Sequence, residues 1–120
     1  MRHQELPEGR VAVEILRGDA VLSEIVRRLV EAYRPERMYL FGSKARGDAD
    51  ADSDYDIVVV VPDDSSPERR RSRLAYEVLW GTRIAADVLV CTREQFQSRL
   101  SVAASLPATV MREGKLLHAA

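Results

Sequence analysis

A chain of 120 residues with 46% apolar side chains and a formal net charge of -1 is long enough for one domain around one core. It is too short for a catalytic domain beside a separate substrate domain. The composition excludes a disordered chain, and the charge gives no global attraction to nucleic acid or to an anionic membrane, so direct nucleic-acid binding is not expected. The single cysteine, Cys91, excludes an internal disulfide framework, and its apolar neighbours Val88, Leu89 and Val90 predict a buried structural thiol. No stretch approaches the ~20 apolar residues of a membrane span and Met1 to Gly9 lack an apolar leader segment, so the expectation is a cytoplasmic protein.

Residues 1–18 show no clear period and read as an N-terminal extension to one domain spanning 1–120. From Asp19 onward Val21, Leu22, Ile25, Val26, Leu29, Val30 and Tyr33 recur at helical spacing, with Arg27, Arg28 and Glu31 on the other side. This predicts an amphipathic helix that ends before Pro35. Met38 to Phe41 is a short apolar run stopping at Gly42, read as the first core strand. Gly42 removes the Cβ where the backbone must turn tightly, and Ser43 adds a hydroxyl and an N–H at the turn. Lys44 to Gly47 then form about one helical turn. Free amides there, with Lys44 and Arg46 close by, suit a phosphate.

Asp48, Asp50, Asp52, Asp54 and Asp56 alternate with other residues. A calcium loop is excluded, because from no starting Asp do the sixth-position Gly and twelfth-position Glu follow. A P-loop is excluded as well, since no leading glycine frame precedes Lys44. Asp54 and Asp56 open the run Ile57 to Val61. Aspartate is a poor strand former, so two of them there cost stability. Being two residues apart they point the same way, Tyr55 the other, and they repel each other unless a cation lies between them. Mg²⁺ suits such a pair, as it is commonly held by one or two carboxylates together with water and phosphate oxygens. The plain alternative is a solvated acidic loop ahead of a buried strand; the Gly42-Ser43 turn upstream weighs against it.

Ile57 to Val61 is apolar on both faces, as in a central strand. After the loop Pro62 to Pro67, with Ser65 or Ser66 as N-cap, a helix carries Leu74, Ala75, Val78 and Leu79 and ends near Trp80-Gly81. The basic cluster Arg69 to Arg73 at its start is either a solvated face or a contact for an acidic partner or RNA. Ile84 to Cys91 is the third strand, interrupted near its start by Asp87. Thr92 to Gln95 has the form of a capping box opening a helix that buries Phe96, Leu100 and Ala103. Pro107 begins a short helix through Val110 and Met111, closed by Gly114, and Lys115 to His118 form a last short strand or tail. His3 and His118 have no partner at metal-ligand spacing.

The helix between the second and third strands is long enough for a crossover, which makes those strands parallel. The first strand brings Gly42-Ser43 to the end of the sheet where they begin only if it runs antiparallel to the second. The fold class is therefore α/β (α+β), a mixed sheet of three to four strands flanked by helices. In that sheet Asp54, Asp56 and Asp87 share one end with Gly42 and Ser43.

Gly42-Ser43, ten intervening residues, Asp54-Tyr55-Asp56, and a single Asp87 in a later strand resemble the pattern of the DNA polymerase β-like nucleotidyltransferase superfamily. With Ser53 before Asp54, and Arg112 to Leu117 at the close, the chain resembles the minimal nucleotidyltransferases, the MNT type, over roughly residues 21 to 117. The resemblance implies a nucleotidyltransferase fold in which Asp54 and Asp56 hold two Mg²⁺ ions. Asp87 would bind the metal that activates the attacking hydroxyl, and Gly42, Ser43, Lys44, Arg46 and Ser53 would bind the nucleotide. It further implies ATP as nucleotide donor and an antitoxin role beside a small helical HEPN-type toxin, with AMP passed to a tyrosine of that partner. The alternatives are a non-catalytic antitoxin acting by complex formation, and transfer to a small molecule or RNA.

Overall fold

The computed structural model describes residues 18–47 and 54–120. The N-terminal extension, most of the acidic loop and Ser53 lie outside the described residues. Helix α1, Ala20–Tyr33, starts where the Asp19 carboxylate accepts the Leu22 N–H at 2.9 Å. It buries Leu22, Ile25, Val26, Leu29 and Tyr33 and ends at Arg34, whose left-handed backbone returns its N–H to the Val30 carbonyl. Val21 sits beside the apolar stripe and is 44% exposed.

Strand β1, Arg37–Phe41, leads directly into the five-residue helix α2, Gly42–Arg46, closed by Gly47. Strand β2, Tyr55–Val61, buries five consecutive residues, Ile57 to Val61, as a strand covered on both faces must. A 3₁₀ turn, Pro67–Arg70, and helix α3, Arg73–Leu79, cross to strand β3, Ala86–Thr92. Helix α4, Arg93–Ser98, helix α5, Leu106–Glu113, and strand β4, Lys115–Ala119, complete the chain.

The four strands lie in the order β3-β2-β1-β4, with β2 and β3 parallel and β1 antiparallel to both β2 and β4. Alternation along the strands divides the interior in two. Leu40, Ile57, Val59 and Val88 pack under α1 and α3 on one face. On the other, Tyr39, Val58, Val60 and Leu116 pack with Phe96 of α4 and Val110 of α5, and the Tyr39 and Phe96 rings stack at 5.6 Å. No helix among the described residues is long and apolar enough to cross a membrane.

Three local expectations are corrected. The helix expected from Pro67 to Trp80 is split, because Arg71 is extended. Its carbonyl accepts the buried Tyr33 hydroxyl, which in turn accepts the Ala75 N–H at 2.9 Å, so one side chain of α1 draws the backbone out of helical register. The helix opened by the Thr92 capping box stops after Ser98 and leaves Leu100 and Ala103 exposed while Phe96 is buried. Beyond it the Arg99 carbonyl accepts from the Ser105 hydroxyl and the Ala103 carbonyl from Arg112, contacts that hold the segment as a series of turns. Cys91 is half-buried, since its strand is outermost and its face is only partly roofed.

Candidate active site

The C-terminal end of β1 and the N-terminal ends of β2 and β3 meet at one end of the sheet. Phe41 stands opposite Asp56 in the β1–β2 pair, and Asp56 stands opposite Asp87 in the β2–β3 pair. In-register neighbours project from the same face, so the side chains of Asp56 and Asp87 leave the sheet together, on the face that carries Val58 and Val60. Asp54 directly precedes β2 and has the same parity as Asp56. Asp54 and Asp87 are exposed, and Asp56 is half-buried.

Gly42 closes this end from the β1 side. Its φ is +75°, and a Cβ placed on it would lie 2.4 Å from Asp56 Oδ2. Only a residue without a side chain lets the turn press against that carboxylate while holding a left-handed backbone. Gly47, at φ +84°, returns its N–H to the Ser43 carbonyl at 3.0 Å and ends the short helix.

Tyr55, between the two aspartates, points to the opposite face and fastens the start of β2. Its hydroxyl donates to Asp19 Oδ2 at 2.8 Å, and the Lys44 ammonium lies 4.4 Å above its ring. The Tyr55 N–H donates to the Ala85 carbonyl just before β3. Burial and the Asp19 carboxylate together push the Tyr55 hydroxyl up to about 12, so it remains a donor at neutral pH. The sequence marks Asp19 only as the point from which the helical pattern begins. Its contact with Tyr55 links residues 36 positions apart, and no local pattern announces it.

Burial pushes the Asp56 carboxyl above the ordinary carboxylate range, and the negative charges of Asp87 and then Asp54 push it further, against the opposing pull of Arg46. Asp87, Asp54 and Arg46 therefore each lie close enough to act electrostatically on Asp56. Lys44 is held at the Tyr55 ring, Arg46 lies within reach of the carboxylates, and Ser43 is half-buried in the turn. Among the described residues no group of three or more His, Cys, Asp or Glu side chains is drawn together at metal-ligand spacing. The donor chemistry fits a hard cation nonetheless: three carboxylates from one end of the sheet, with Asp56 raised by burial and then by the charge of the other two. The Arg69 to Arg73 cluster is not part of this end. It follows the far end of β2, beside Glu68 and Glu77, with Arg73 and Glu77 paired at 3.2 Å.

A four-stranded mixed sheet with a glycine-serine turn ending β1 and carboxylates at the starts of β2 and β3 is a nucleotidyltransferase fold. The nucleotidyltransferase domain family model matches residues 22–116, and the chain belongs to that family. Among solved structures the chain is similar to a toxin-antitoxin crystallised with AMP-PNP, at 25% identity and a TM-score of 0.53, covering 81% of this chain and 73% of that one. It is also similar to a mutant of the toxin-antitoxin MntA-HpeT, at 20% identity and a TM-score of 0.50, covering 79% and 71%. No curated protein matches the chain.

Proposed function

We propose that this nucleotidyltransferase domain transfers AMP from ATP, with Mg²⁺, to a side-chain hydroxyl of a partner toxin and so acts as its antitoxin. The observation that carries the reading is the register pairing of Asp56 with Asp87, with Gly42 pressed against Asp56 from the neighbouring strand. The adenine nucleotide and the toxin are supported by the 25%-identical neighbour, a toxin-antitoxin crystallised with AMP-PNP. The HEPN-type identity of the partner and its tyrosine acceptor rest on the sequence resemblance.

Asp54 and Asp56 would hold two Mg²⁺ ions, with Asp87 as a further ligand. Bound there, the ions would supply positive charge to the phosphate oxygens and make the acceptor hydroxyl easier to deprotonate. The Gly42 and Ser43 amides, left without intrahelical acceptors at the start of α2, orient the triphosphate. Arg46 adds positive charge beside the carboxylates. Asp87 accepts the proton of the acceptor hydroxyl as its oxygen bonds to the α-phosphorus and pyrophosphate departs. The protein contributes position and charge and forms no bond of its own to the nucleotide.

The test is transfer of label from ATP carrying radioactive α-phosphate to a helical partner toxin co-purified with this chain. Asp54→Ala or Asp56→Ala is expected to reduce labelling at least a hundredfold, an order of magnitude typical of losing a charge-stabilising group. Unchanged labelling in both variants rejects the site. Neutralisation of the toxin without ATP or Mg²⁺, equally well by Asp87→Ala, replaces the catalytic reading with a binding one.

A further inference from the structure

Along β3 the residues that share a face with Asp87 are Leu89 and Cys91. Leu89 is paired in register with Val58, so the Val58–Leu89 row is the next one after the Asp56–Asp87 row, about 6.5 Å along the sheet. Val58 is buried, yet Leu89 is 46% exposed. The roof over this face stops short. Phe96 of α4 and Leu106 and Pro107 of α5 form the far wall, and Leu106 itself is 38% exposed. Between floor and wall lies a mainly apolar groove of about 350 Å³ that Cys91 also lines, with Gln95 and Arg99 as its polar lining. That volume is at the lower limit of small-ligand sites, so it takes one side chain or one base and not a folded element.

The order of parts across the sheet indicates which. Gly42 and Ser43 follow the end of β1, Asp54 and Asp56 stand at the start of β2, Asp87 lies near the start of β3, and β3 is the edge strand on that side of the sheet. With the triphosphate tail at the β1 side, an in-line displacement at the α-phosphorus requires the nucleophile to arrive from the opposite side, over β3. The groove opens there, one row beyond Asp87. We propose that it seats the acceptor: an apolar, hydroxyl-bearing side chain of the partner protein, laid across the free edge of β3 with its oxygen at the Asp87 row. This rests on the nucleotidyl-transfer reading. In the step it serves, the acceptor oxygen forms its bond to the α-phosphorus and the bond to the bridging oxygen of pyrophosphate breaks. Pyrophosphate leaves with the electron pair, and the hydroxyl proton passes to Asp87.

The test uses the full chain labelled with ¹⁵N and three probes: N-acetyl-L-tyrosinamide, N-acetyl-L-serinamide and Mg·ATP. The tyrosinamide is expected to shift the amides of Leu89, Cys91, Phe96 and Leu106, the serinamide to leave them in place, and Mg·ATP to shift Gly42 and Ser43. Leu89→Arg is expected to weaken tyrosinamide binding at least about tenfold while Mg·ATP affinity stays within about twofold. Its spectrum away from the groove reports that it is folded, and Leu106→Asp serves the same purpose if it is not. Groove amides that respond to Mg·ATP and not to tyrosinamide make this a nucleobase slot and overturn the proposal, as does no response to tyrosinamide up to its solubility limit. A groove that binds tyrosinamide while Asp54→Ala leaves labelling unchanged keeps the docking site and rejects the chemistry, so the two failures are separable.

Discussion

Replacing Gly42 by alanine places a methyl carbon 2.4 Å from Asp56 Oδ2, on a backbone held at φ +75°. The left-handed conformation costs an alanine roughly 1–2 kcal/mol. The contact falls far inside the ordinary van der Waals range of ~3.5 Å, so the Asp56 side chain must leave its rotamer, at a further cost of about 0.5–1.5 kcal/mol. The expected loss is therefore about 1.5–3.5 kcal/mol. With an unfolding entropy of ~2.1 cal/mol/K per residue, 1 kcal/mol moves Tm by about 4 °C in a chain of 120 residues, and Gly42→Ala should melt about 6–14 °C lower. Gly47→Ala is the internal control. Its φ is +84° but no atom lies within 4 Å of the added carbon, so it carries the backbone cost alone, about 4–8 °C. Thermal and urea denaturation of both variants, each also in an Asp56→Ala background, isolates the carboxylate contact as a coupling energy. If Gly42→Ala costs no more than Gly47→Ala, or if its excess cost survives removal of the Asp56 carboxylate, then Gly42 is not there to make room for Asp56.

Two further outcomes follow from the charges and the buried hydroxyl. Asp56 is raised by burial and by Asp87 and Asp54, so between the ordinary carboxylate range near pH 4 and its raised value the folded chain holds a proton that the unfolded chain has released. Stability contributed by that proton is present below the window and lost as pH rises through it. Asp56→Asn should therefore gain on the wild type as pH rises, and be the more stable protein at pH 7 without divalent cation. Melting curves across pH 3 to 8 check it, and a pH-independent difference between the two counts against it. Tyr33→Phe removes the donor to the Arg71 carbonyl and one acceptor for the Ala75 N–H, at a cost of about 1–3 kcal/mol in urea unfolding. Because burial pushes the Tyr33 hydroxyl up to about 12 from its usual 10, wild-type stability should fall as pH rises from 10 toward 12. The variant should fall less steeply, and equal slopes would show that Tyr33 keeps no proton on folding.

The carboxylates are placed at a cost to the fold that positions them. Three acidic side chains at the start of two adjacent strands oppose strand formation and repel one another, and the five buried residues of β2 behind them hold the sheet together regardless. Tyr55 reinforces this from the opposite face, tying the β2 start to Asp19 and to Lys44 while its neighbours project toward the candidate site.

Much of this was legible along the chain, because the signals were local. The apolar stripe from Leu22 to Tyr33, the run Ile57 to Val61, the Thr92 capping box and the glycines at 42 and 47 each carry their own geometry in a few consecutive residues. The crossover length forced β2 and β3 to run parallel, and with it Asp87 came to the end of the sheet that holds Asp54 and Asp56. What depended on distant partners was not legible. Tyr33 broke a helix 38 residues away, Ser105 and Arg112 stopped another before Leu100 could be buried, and Asp19 at the start of α1 met Tyr55 at the start of β2. The groove beside Leu89 belongs to the same class, since a leucine in an apolar strand looks buried until the reach of the helices that roof it is known. Periodicity and turn chemistry reside in neighbouring residues and so in the sequence itself. Which polar group intercepts which carbonyl, and where a covering helix ends, are settled only when separate segments compete for the same hydrogen bonds in the packed chain.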